Sequence, residues 1–507
     1  MLFHEDLRSS IGIDLDNRII IIDEAHNVVE AINQLYSSEI SLENLQQTYT
    51  SLQSYISRFQ LMLHGKNLYY LNLLQSIVYK LLQYLQKLSS SHIQSSCIFT
   101  TNEFLFELKL DNINFLKLCK YITITNLENR VGGYADHYHQ RRNISNATSP
   151  MASTYIQSLR NVIKFLQCLM RTDVDGRINV HVNPSEDLSS KMIKFILFNP
   201  SKHFKMILDQ AKHVLLLGGT MKPFHLLTST LFPHLSEDMI QIFSCDHVVA
   251  SSHVNTLILP QGFQSMRPIE FTHEKRHQSD TLNELFHILY EYIAKLIEHG
   301  VVVFFSSYAY MELVVDYWKM NPNSNPNSNS NLDAAKLSYF DMLHMRKPIF
   351  LEPKSTLEGE RVLERYSQYA TSKLPHSKGA MLLCVMGGKL SEGINFSDDL
   401  ARCVVVVGLP YPDIRDMILQ ERMKYADSKQ IGNGRKLYES LCMKQVNQSI
   451  GRSIRHKQDY ATIVLFDRRY ESNHVMDQLP SWITRSISIC RTSSELTTNI
   501  TSFMHHE

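Results

Sequence analysis

The chain alternates between short runs of apolar residues and longer stretches in which apolar residues recur at helical spacing. Four consecutive isoleucines, residues 19–22, form the first run. An unbroken β-branched run of this kind predicts a strand buried on both faces, as in a parallel sheet. Further apolar runs lie at residues 214–217, 254–259, 301–305, 380–385, 403–407 and 462–466. Helical stretches separate most of them, as at residues 280–299 and 413–426, so the pattern predicts an α/β fold with parallel sheets and right-handed crossovers.

A long helical region interrupts this alternation between residues 30 and 205. Six leucines and Val78 recur at helical spacing from residue 68 to residue 85, and residues 102–118 carry a second such face. Residues 126–153 are polar and contain Gly132-Gly133, which predicts a loop or a disordered excursion. About 190 positions separate His26 from Gly218, too many for one connection between neighbouring strands. The sequence therefore predicts a domain-sized, mainly helical insertion between two strands of one sheet.

These patterns divide the chain into four segments. We predict a part of a first α/β domain over residues 1–29, the helical insertion over 30–205, a return to the first domain over 206–235, and a second α/β domain over 236–507. An Asn/Pro/Ser-rich run at residues 321–331 predicts a flexible surface loop.

Composition narrows the function classes. The 507 residues are enough for about three domains. The net charge of +1 gives no global signature of nucleic-acid binding, so any such contact must come from local basic clusters. No apolar run approaches the ~18 residues of a spanning helix, which predicts no membrane partner. The eight cysteines include no Cys-x-x-Cys pair, and the spacing favours reduced core residues over zinc or iron–sulfur ligands.

Two adjacent carboxylates, Asp23 and Glu24, follow the isoleucine run. Ligands of open α/β sheets bind at the carboxyl ends of the strands, and Mg²⁺ takes carboxylate and phosphate oxygens. Asp23 is thus a candidate Mg²⁺ ligand, and Glu24 a candidate to orient or deprotonate water. The alternative is an acidic N-cap after a core strand.

The second sheet carries polar groups where its strands end. Ser306 and Tyr308 follow one run, and a Gly-Gly turn with Gly388 and Glu392 follows another. Further on, Gln448, Arg452 and Arg455 are spaced i, i+4 and i+7, which predicts one helical face with an amide and two guanidiniums. Planar guanidiniums suit phosphate oxygens, whereas the alternative is a solvated basic face.

Taken in order, these segments resemble the motifs of superfamily 2 DNA helicases of the XPD-like, iron–sulfur group. Asp23-Glu24-Ala25-His26 resembles motif II and Gly218-Gly219-Thr220 motif III; residues 303–308, 388–396 and 448–455 resemble motifs IV, V and VI. The sequence of residues 387–398 and 442–448 is most similar to that of the ChlR branch. This branch is linked to sister-chromatid cohesion and replication-fork maintenance.

The resemblance implies tandem RecA-like parallel sheets, the first of them incomplete here, with an Arch-type insertion. It implies ATP and Mg²⁺ as cofactors, DNA (single strands and forks) and cohesion or replication proteins as partners, a role in DNA repair, and a nuclear location. Asp23 would ligate Mg²⁺, Glu24 would activate water, His26 would couple the two domains, and Gln448, Arg452 and Arg455 would reach the γ-phosphate. The expected cleft-lining residues are Gly218, Gly219, Thr220, Gly388, Glu392 and Gly393. The expected DNA-binding residues are Ser306, Tyr308, Lys389 and Asn395.

The sequence departs from the family in one respect. It contains no Gly-x-x-x-x-Gly-Lys-[Ser/Thr], the loop that cradles phosphates. The family's four iron-ligating cysteines are expected upstream of motif II, so no ligand for a 4Fe–4S cluster is expected in this chain. The expectation is the C-terminal part of a helicase, as a truncated gene model, an isoform or a degenerate copy. Two alternatives stay open: an ATPase-inactive module that binds DNA or a partner, and a translocase that moves on duplex without unwinding it.

Overall fold

The computed structural model describes residues 2–88, 97–142, 154–170, 175–182, 191–245, 248–321, 337–371, 378–390, 396 and 398–506. The chain forms two compact units. The first comprises Met1–Leu217, Leu227–His234 and Ile414–Lys429, and the second comprises Gly218–Leu226, Leu235–Asp413 and Gln430–Glu507. The domain boundaries at 29, 205 and 235 stay predictions.

The isoleucine run forms strand β1 (Ile19–Ile22) in the first unit. It pairs in parallel with β6 (His213–Leu216), with Ile19 opposite His213. Among the described residues these two strands form a sheet of their own. The prediction of burial on both faces is wrong, because Ile19 and Ile21 are 59% and 63% exposed. They point to a face of this narrow sheet that no described element covers.

The insertion contains an antiparallel sheet as well as helices. Its order is β2-β5-β4-β3, with bounds Ser38–Ser41 (β2), Cys97–Phe99 (β3), Gly176–Val182 (β4) and Lys191–Leu197 (β5). Its helices are Val28–Tyr36, Leu42–Phe59, Gly65–Lys87, Thr101–Glu107, Phe115–Thr125, Leu127–Arg142 and Thr154–Cys168. The helical character is as predicted, while the sheet was missed because its strands are short or lie among polar residues.

The predicted loop at residues 126–153 is wrong over its first part, which is the helix Leu127–Arg142. Leu127, Val131 and Ala135 recur every four residues and are all buried. Gly132 is needed for close packing, because a Cβ on it would stand 2.8 Å from Cα of Ile156 in the neighbouring helix. The rest of that predicted loop, residues 143–153, lies outside the described residues.

Two other predicted helices need correction. The helical face expected over residues 102–118 is two helices, Thr101–Glu107 and Phe115–Thr125, separated by residues 108–114. The helix predicted over residues 413–426 instead begins at Met417 and ends at Lys429. This helix clusters with the first unit: Arg177 Nε lies 3.3 Å from Glu421 Oε2, and the Phe198 and Tyr425 rings pack edge to face.

The second unit is built on a seven-stranded parallel sheet in the order β13-β7-β12-β11-β8-β10-β9. The strands are Val254–Leu259 (β7), Val301–Phe305 (β8), Ile349–Leu351 (β9), Met381–Val385 (β10), Cys403–Val407 (β11), Ala461–Phe466 (β12) and Ile487–Ile489 (β13). Five of these strands match the predicted runs, and the two missed strands, β9 and β13, are three-residue edge strands.

Helices cover both faces of this sheet, as a parallel sheet requires. Val301, Val303 and Phe305 belong to one buried cluster, while Val302 and Phe304 belong to the other. The longer helices are Ser279–His287, Tyr308–Met320, Tyr339–Arg346, Thr356–Ala370, Asn433–Ile450 and Ser493–His506. The predicted α/β fold with parallel sheets and a helical insertion is confirmed.

Among the described residues the eight cysteines form no disulfide, and six of them are buried, as expected of core residues. Cys245 is exposed and Cys97 is partly exposed. Across the described ranges, no helix combines the length and the apolar character that crossing a membrane requires.

Candidate functional site

The carboxylates of the first unit lie in a tight turn at the carboxyl end of β1. Asp23 Oδ1 accepts a hydrogen bond from the Glu24 amide at 2.8 Å, and Glu24 has a left-handed φ of 48°. The Ala25 amide donates to Leu217 O at the end of β6 (2.8 Å). Glu24 Oε2 lies 3.2 Å from His26 Nδ1. The turn therefore holds two exposed carboxylates and an imidazole together at a strand end.

This donor set suits Mg²⁺. Asp23 and Glu24 are exposed, and each offers the oxygen ligands that a hard cation prefers. Asp23 still has one carboxylate oxygen that is not used by the Glu24 amide. The residues thus fit the predicted cation.

In the second unit, Glu352 is the central side chain at the carboxyl edge of the sheet. It follows β9 and is only 3% exposed. Its Oε1 accepts from the Leu390 amide (2.8 Å) and from the Tyr308 hydroxyl (2.9 Å), and its Oε2 accepts from the Val385 amide (2.7 Å). Burial, and then the bond to Glu352, raises the pKa of Tyr308 to about 12, so the phenol stays protonated and donates. One carboxylate thus joins the segments that follow β8, β9 and β10.

The Gly-Gly turn after β10 is shaped by this carboxylate. Gly387 has a left-handed φ of 70°, and a Cβ on Gly388 would stand 2.6 Å from Glu352 Oε1. Lys389 Nζ donates to Lys354 O at 2.7 Å. Of the predicted site residues in this segment, Glu392, Gly393 and Asn395 lie outside the described residues.

The predicted basic helical face is wrong in one respect, because the helix Asn433–Ile450 ends before the arginines. Gln448 lies in its last turn, while Arg452 and Arg455 lie in the loop before β12. The Ser453 amide and hydroxyl both bond to Ile450 O (3.1 and 2.7 Å), which tightens the chain and ends the helix. The two arginines therefore lie at the amino edge of the sheet, opposite Glu352.

A buried carboxylate holds this loop. Asp459 is 0% exposed; its Oδ2 accepts from the Arg455 amide (3.0 Å) and its Oδ1 from Arg402 Nη1 (2.8 Å). The Arg402 guanidinium also lies 3.9 Å from the centre of the Tyr460 ring. Asp459 thus fixes the backbone that carries Arg455 against the start of β11.

Thr220, from the predicted motif III, lies against this same loop. A Cβ on Gly451 would stand 2.9 Å from Thr220 Cγ2. Asn447 Nδ2 donates to Lys222 O (3.3 Å) and to Gln478 O (2.9 Å). Motifs III and VI are therefore packed together within the second unit. Gly218 and Gly219 precede this contact, and a side chain on Gly219 would meet open space.

The described residues of the segment that resembles motif V lie at both edges of the sheet. The segment starts at Gly387 and Gly388 at the carboxyl edge, and the Phe396 amide donates to Arg452 O (3.3 Å) at the amino edge. Glu352, Asp459 and Arg402 were missed because a lone charged residue near a strand end carries no motif.

Apart from the β1 carboxylates, the described residues contain a further cluster of potential metal ligands. One group of three, Asp398, His456 and Asp459, has ligand atoms within 4.8 Å of one another. Arg402 already neutralises Asp459 at 2.8 Å, so this group is an ion-pair network. Across the described residues no group of three includes a cysteine.

Comparisons with known proteins agree with this fold. Residues 290–486 match the family model described as Helicase C-terminal domain, and residues 1–45 match DEAD_2. The structure of Xpd4 from S. tokodaii superposes with a TM-score of 0.52 at 18% identity, covering 96% of this chain and 80% of that one. An XPD helicase structure gives a TM-score of 0.51 at 18% identity, covering 96% and 71%. The tandem RecA-like fold with a helical insertion is thus that of the XPD-like superfamily 2 helicases.

Curated relatives place the chain more narrowly. The ATP-dependent DNA helicase chl1 of Schizosaccharomyces pombe is 32% identical over 96% of this chain and 57% of its own length. The ATP-dependent DNA helicase DDX11 of Danio rerio is 33% identical over 96% and 58%. Together with the matching family models and the XPD-like fold, these homologues support the predicted assignment to the ChlR branch of the XPD-like superfamily 2 helicases. The chain spans less than two thirds of the length of these relatives.

Proposed function

We propose that the protein acts as an ATP-dependent DNA helicase, on single-stranded and forked DNA, in sister-chromatid cohesion, replication-fork maintenance and DNA repair in the nucleus. The relatives are named ATP-dependent DNA helicases, which supports the reaction class. The observation that carries the proposal for this chain is the amino-edge loop, where Asp459 and Thr220 hold a segment with two arginines beside motif V.

Each residue has a definite task in this proposal. Bound at Asp23, Mg²⁺ would neutralise charge on the ATP phosphates. Glu24 would orient the attacking water and accept its proton. His26, which lies beside Glu24, would couple the ATP site to the second domain. Arg452 and Arg455 would stabilise the charge that develops on the transferred phosphoryl group, with Gln448 beside them. The Phe396 amide donates to Arg452 O, so motif V would pass the change from this loop to the carboxyl edge.

A second candidate function is an ATPase-inactive module that binds DNA or a partner. The observation that favours it is that none of the 507 residues forms a phosphate-cradling Gly-Lys-[Ser/Thr] loop. Backbone amides and a Lys of such a loop hold the β- and γ-phosphates. We therefore expect the chain on its own to bind DNA and to hydrolyse little ATP.

Two measurements on the purified chain test these functions. Phosphate release with Mg·ATP and single-stranded DNA should stay at background, and robust turnover abolished by Glu24→Gln would contradict the inactive state of the isolated chain. Binding to single-stranded DNA should be measurable and should weaken as salt rises, because counterions are released. A chain that binds no single strand even at low salt would contradict the helicase proposal and favour a protein-interaction module.

A further inference from the structure

A segment of the second unit that no motif covers runs along the carboxyl edge of the large sheet. It comprises residues 260–278, between β7 and the helix Ser279–His287, and we name it the rim segment. The Phe271 amide donates to Asp467 Oδ2 (2.9 Å) after β12. A Cβ on Gly408, after β11, would stand 2.6 Å from Phe271 Cβ. The rim segment therefore passes over the ends of β12 and β11, and β11 is a direct neighbour of β8.

The rim segment is held rigidly at both ends. At its start, the buried carboxylate of Glu284 accepts hydrogen bonds from the Phe263 and Gln264 amides, both at 3.0 Å. At its end, the Tyr310 hydroxyl donates to Arg276 O at 3.1 Å. The backbone that carries Arg276 is therefore fixed before any ligand arrives.

The Arg276 side chain is surrounded by neutral groups. Its Nη1 lies 3.5 Å from Ser306 Oγ, its Nε lies 3.3 Å from His277 Nε2, and its guanidinium carbon lies 5.2 Å from the centre of the Tyr310 ring. Burial, then the charge of Arg276 and then His273, lowers the pKa of His277, which keeps that imidazole neutral. Arg276 is half-buried and held in place, yet these contacts leave its charge uncompensated.

Neighbouring cations of the rim segment are paired. Lys275 Nζ lies 2.7 Å from Glu270 Oε2, and Arg267 Nη1 lies 3.8 Å from Asp280 Oδ2. Within the part of the chain that the structure describes, no carboxylate forms such a pair with Arg276. A guanidinium that is fixed in direction and lacks an anionic partner is suited to bind an anion, and its planar fork matches phosphate oxygens.

We propose that Arg276, with the Ser306 hydroxyl beside it, binds a backbone phosphate of single-stranded DNA. This inference rests on the proposed helicase function and assigns it a further binding residue. The nucleotide is an unsuitable source of that phosphate, because Arg452 and Arg455 lie at the opposite edge of the same sheet. The site would hold the strand by charge, without reading its sequence.

Fluorescence anisotropy of the full chain with a labelled oligo-dT strand, in a salt series, tests this site. Arg276→Gln should weaken binding and should make the slope of log K against log salt shallower by about 0.7, the value for one phosphate contact on a single strand. The affinity gap to the wild type should therefore shrink about fourfold as salt rises from roughly 25 to 200 mM. Arg276→Lys should restore the slope, because it keeps the charge.

A matched control is Arg435→Gln, which removes an arginine that is exposed and paired with Glu439. It should leave the slope within error of the wild type. Ser306→Asp is a second test that keeps Arg276 in place: the new carboxylate would pair with the guanidinium, so binding should fall as it does in Arg276→Gln. A fluorescent ATP analogue should bind all these variants equally.

The outcomes separate this inference from the proposed function. A wild-type chain that binds no DNA would contradict the helicase proposal itself. A wild-type chain that binds DNA while Arg276→Gln and Ser306→Asp keep its affinity and slope would overturn only the Arg276 site. Loss of ATP-analogue binding in Arg276→Gln, with DNA binding intact, would also overturn it, since the phosphate would then belong to the nucleotide.

Discussion

The carboxylate of Glu352 occupies the space into which a side chain on Gly388 would project. A Cβ at that glycine would stand 2.6 Å from Oε1 and 2.8 Å from Oε2. The same carboxylate accepts hydrogen bonds from Val385, Leu390 and Tyr308. The missing side chain at Gly388 therefore leaves room for the Glu352 carboxylate. The carboxylate in turn fixes the backbone of the turn through its hydrogen bonds.

Gly388→Ala should destabilise the second unit. The added methyl would overlap the buried carboxylate and Val385 O, which would stand 2.9 Å away, and overpacking of this kind costs about 1–3 kcal/mol. Urea unfolding followed by circular dichroism measures the change. The control is Gly219→Ala, where the new methyl meets open space and the change should stay within about 0.5 kcal/mol. Equal effects of the two substitutions would contradict the packing described for Gly388.

Glu352→Gln should cost more stability than Tyr308→Phe. The amide nitrogen of Gln would face a backbone N–H that now donates to Glu352, and a buried donor left without an acceptor costs about 1–3 kcal/mol. Tyr308→Phe removes one hydroxyl and leaves both backbone donors satisfied, so about 1 kcal/mol is expected. The midpoints of urea unfolding of the two variants measure which substitution costs more stability. A smaller effect of Glu352→Gln would mean that the carboxylate does not organise this edge.

Asp459→Asn should loosen the loop that carries Arg455. It leaves Arg402, only 6% exposed, without its buried partner, and breaking a buried pair costs about 3–5 kcal/mol. Hydrogen exchange of the Arg455 amide should become faster, because that amide donates to Asp459. Asp398→Asn is the control, since this exposed carboxylate pairs with His456 (2.9 Å) and lies 3.9 Å from Arg402 Nη2, while the Arg455 amide donates to Asp459. Unchanged exchange at Arg455 in Asp459→Asn would refute the role given to Asp459.

Lys347→Met should remove a pH dependence of stability. The amine is fully buried, and its Nζ lies 2.7–2.8 Å from Ile297 O, His299 O and Lys378 O. Burial lowers its pKa from 10.5 to about 7. Between these values the unfolded chain binds a proton that the folded chain does not, so the free energy of unfolding should rise with pH from about 7 to 10.5.

The Lys347→Met variant should lack this rise, and it should also lose stability because the buried carbonyls around Nζ lose their hydrogen-bond donor. Lys354→Met is the control, because that amine is exposed and pairs with Glu312. It should keep the pH slope of the wild type. An identical slope in wild type and Lys347→Met would show that the amine stays charged in the folded protein.

The strands that could be predicted from sequence are those with an unbroken β-branched run. Val301–Phe305 and Cys403–Val407 are buried at every position because helices cover both faces of the sheet. The same pattern gave a wrong prediction of burial for Ile19–Ile22, where alternate residues are exposed. Burial is a property of the neighbours, and a strand's own composition does not specify them.

The site was predictable where residues form a known motif and not where they hold a motif in place. Spacing suggested that Arg452 and Arg455 share a helical face, yet the helix ends at Ile450 and a loop presents them. Glu352 and Asp459 are single acidic residues whose partners lie far away in sequence. Only the fold brings such groups together, because strand neighbours in a parallel sheet are distant along the chain.

The arginines test the central claim most directly. In a longer protein that carries a phosphate-binding loop ahead of residue 1, steady-state DNA-stimulated ATP hydrolysis would be measured for Arg452→Lys and Arg455→Lys. Lysine keeps the charge but loses the planar fork, so we expect a rate loss of about 10³-fold or more with single-strand binding intact. Arg435→Lys should hydrolyse ATP at the wild-type rate. Near-wild-type hydrolysis in both Arg452→Lys and Arg455→Lys would contradict the assignment of this loop to phosphoryl transfer.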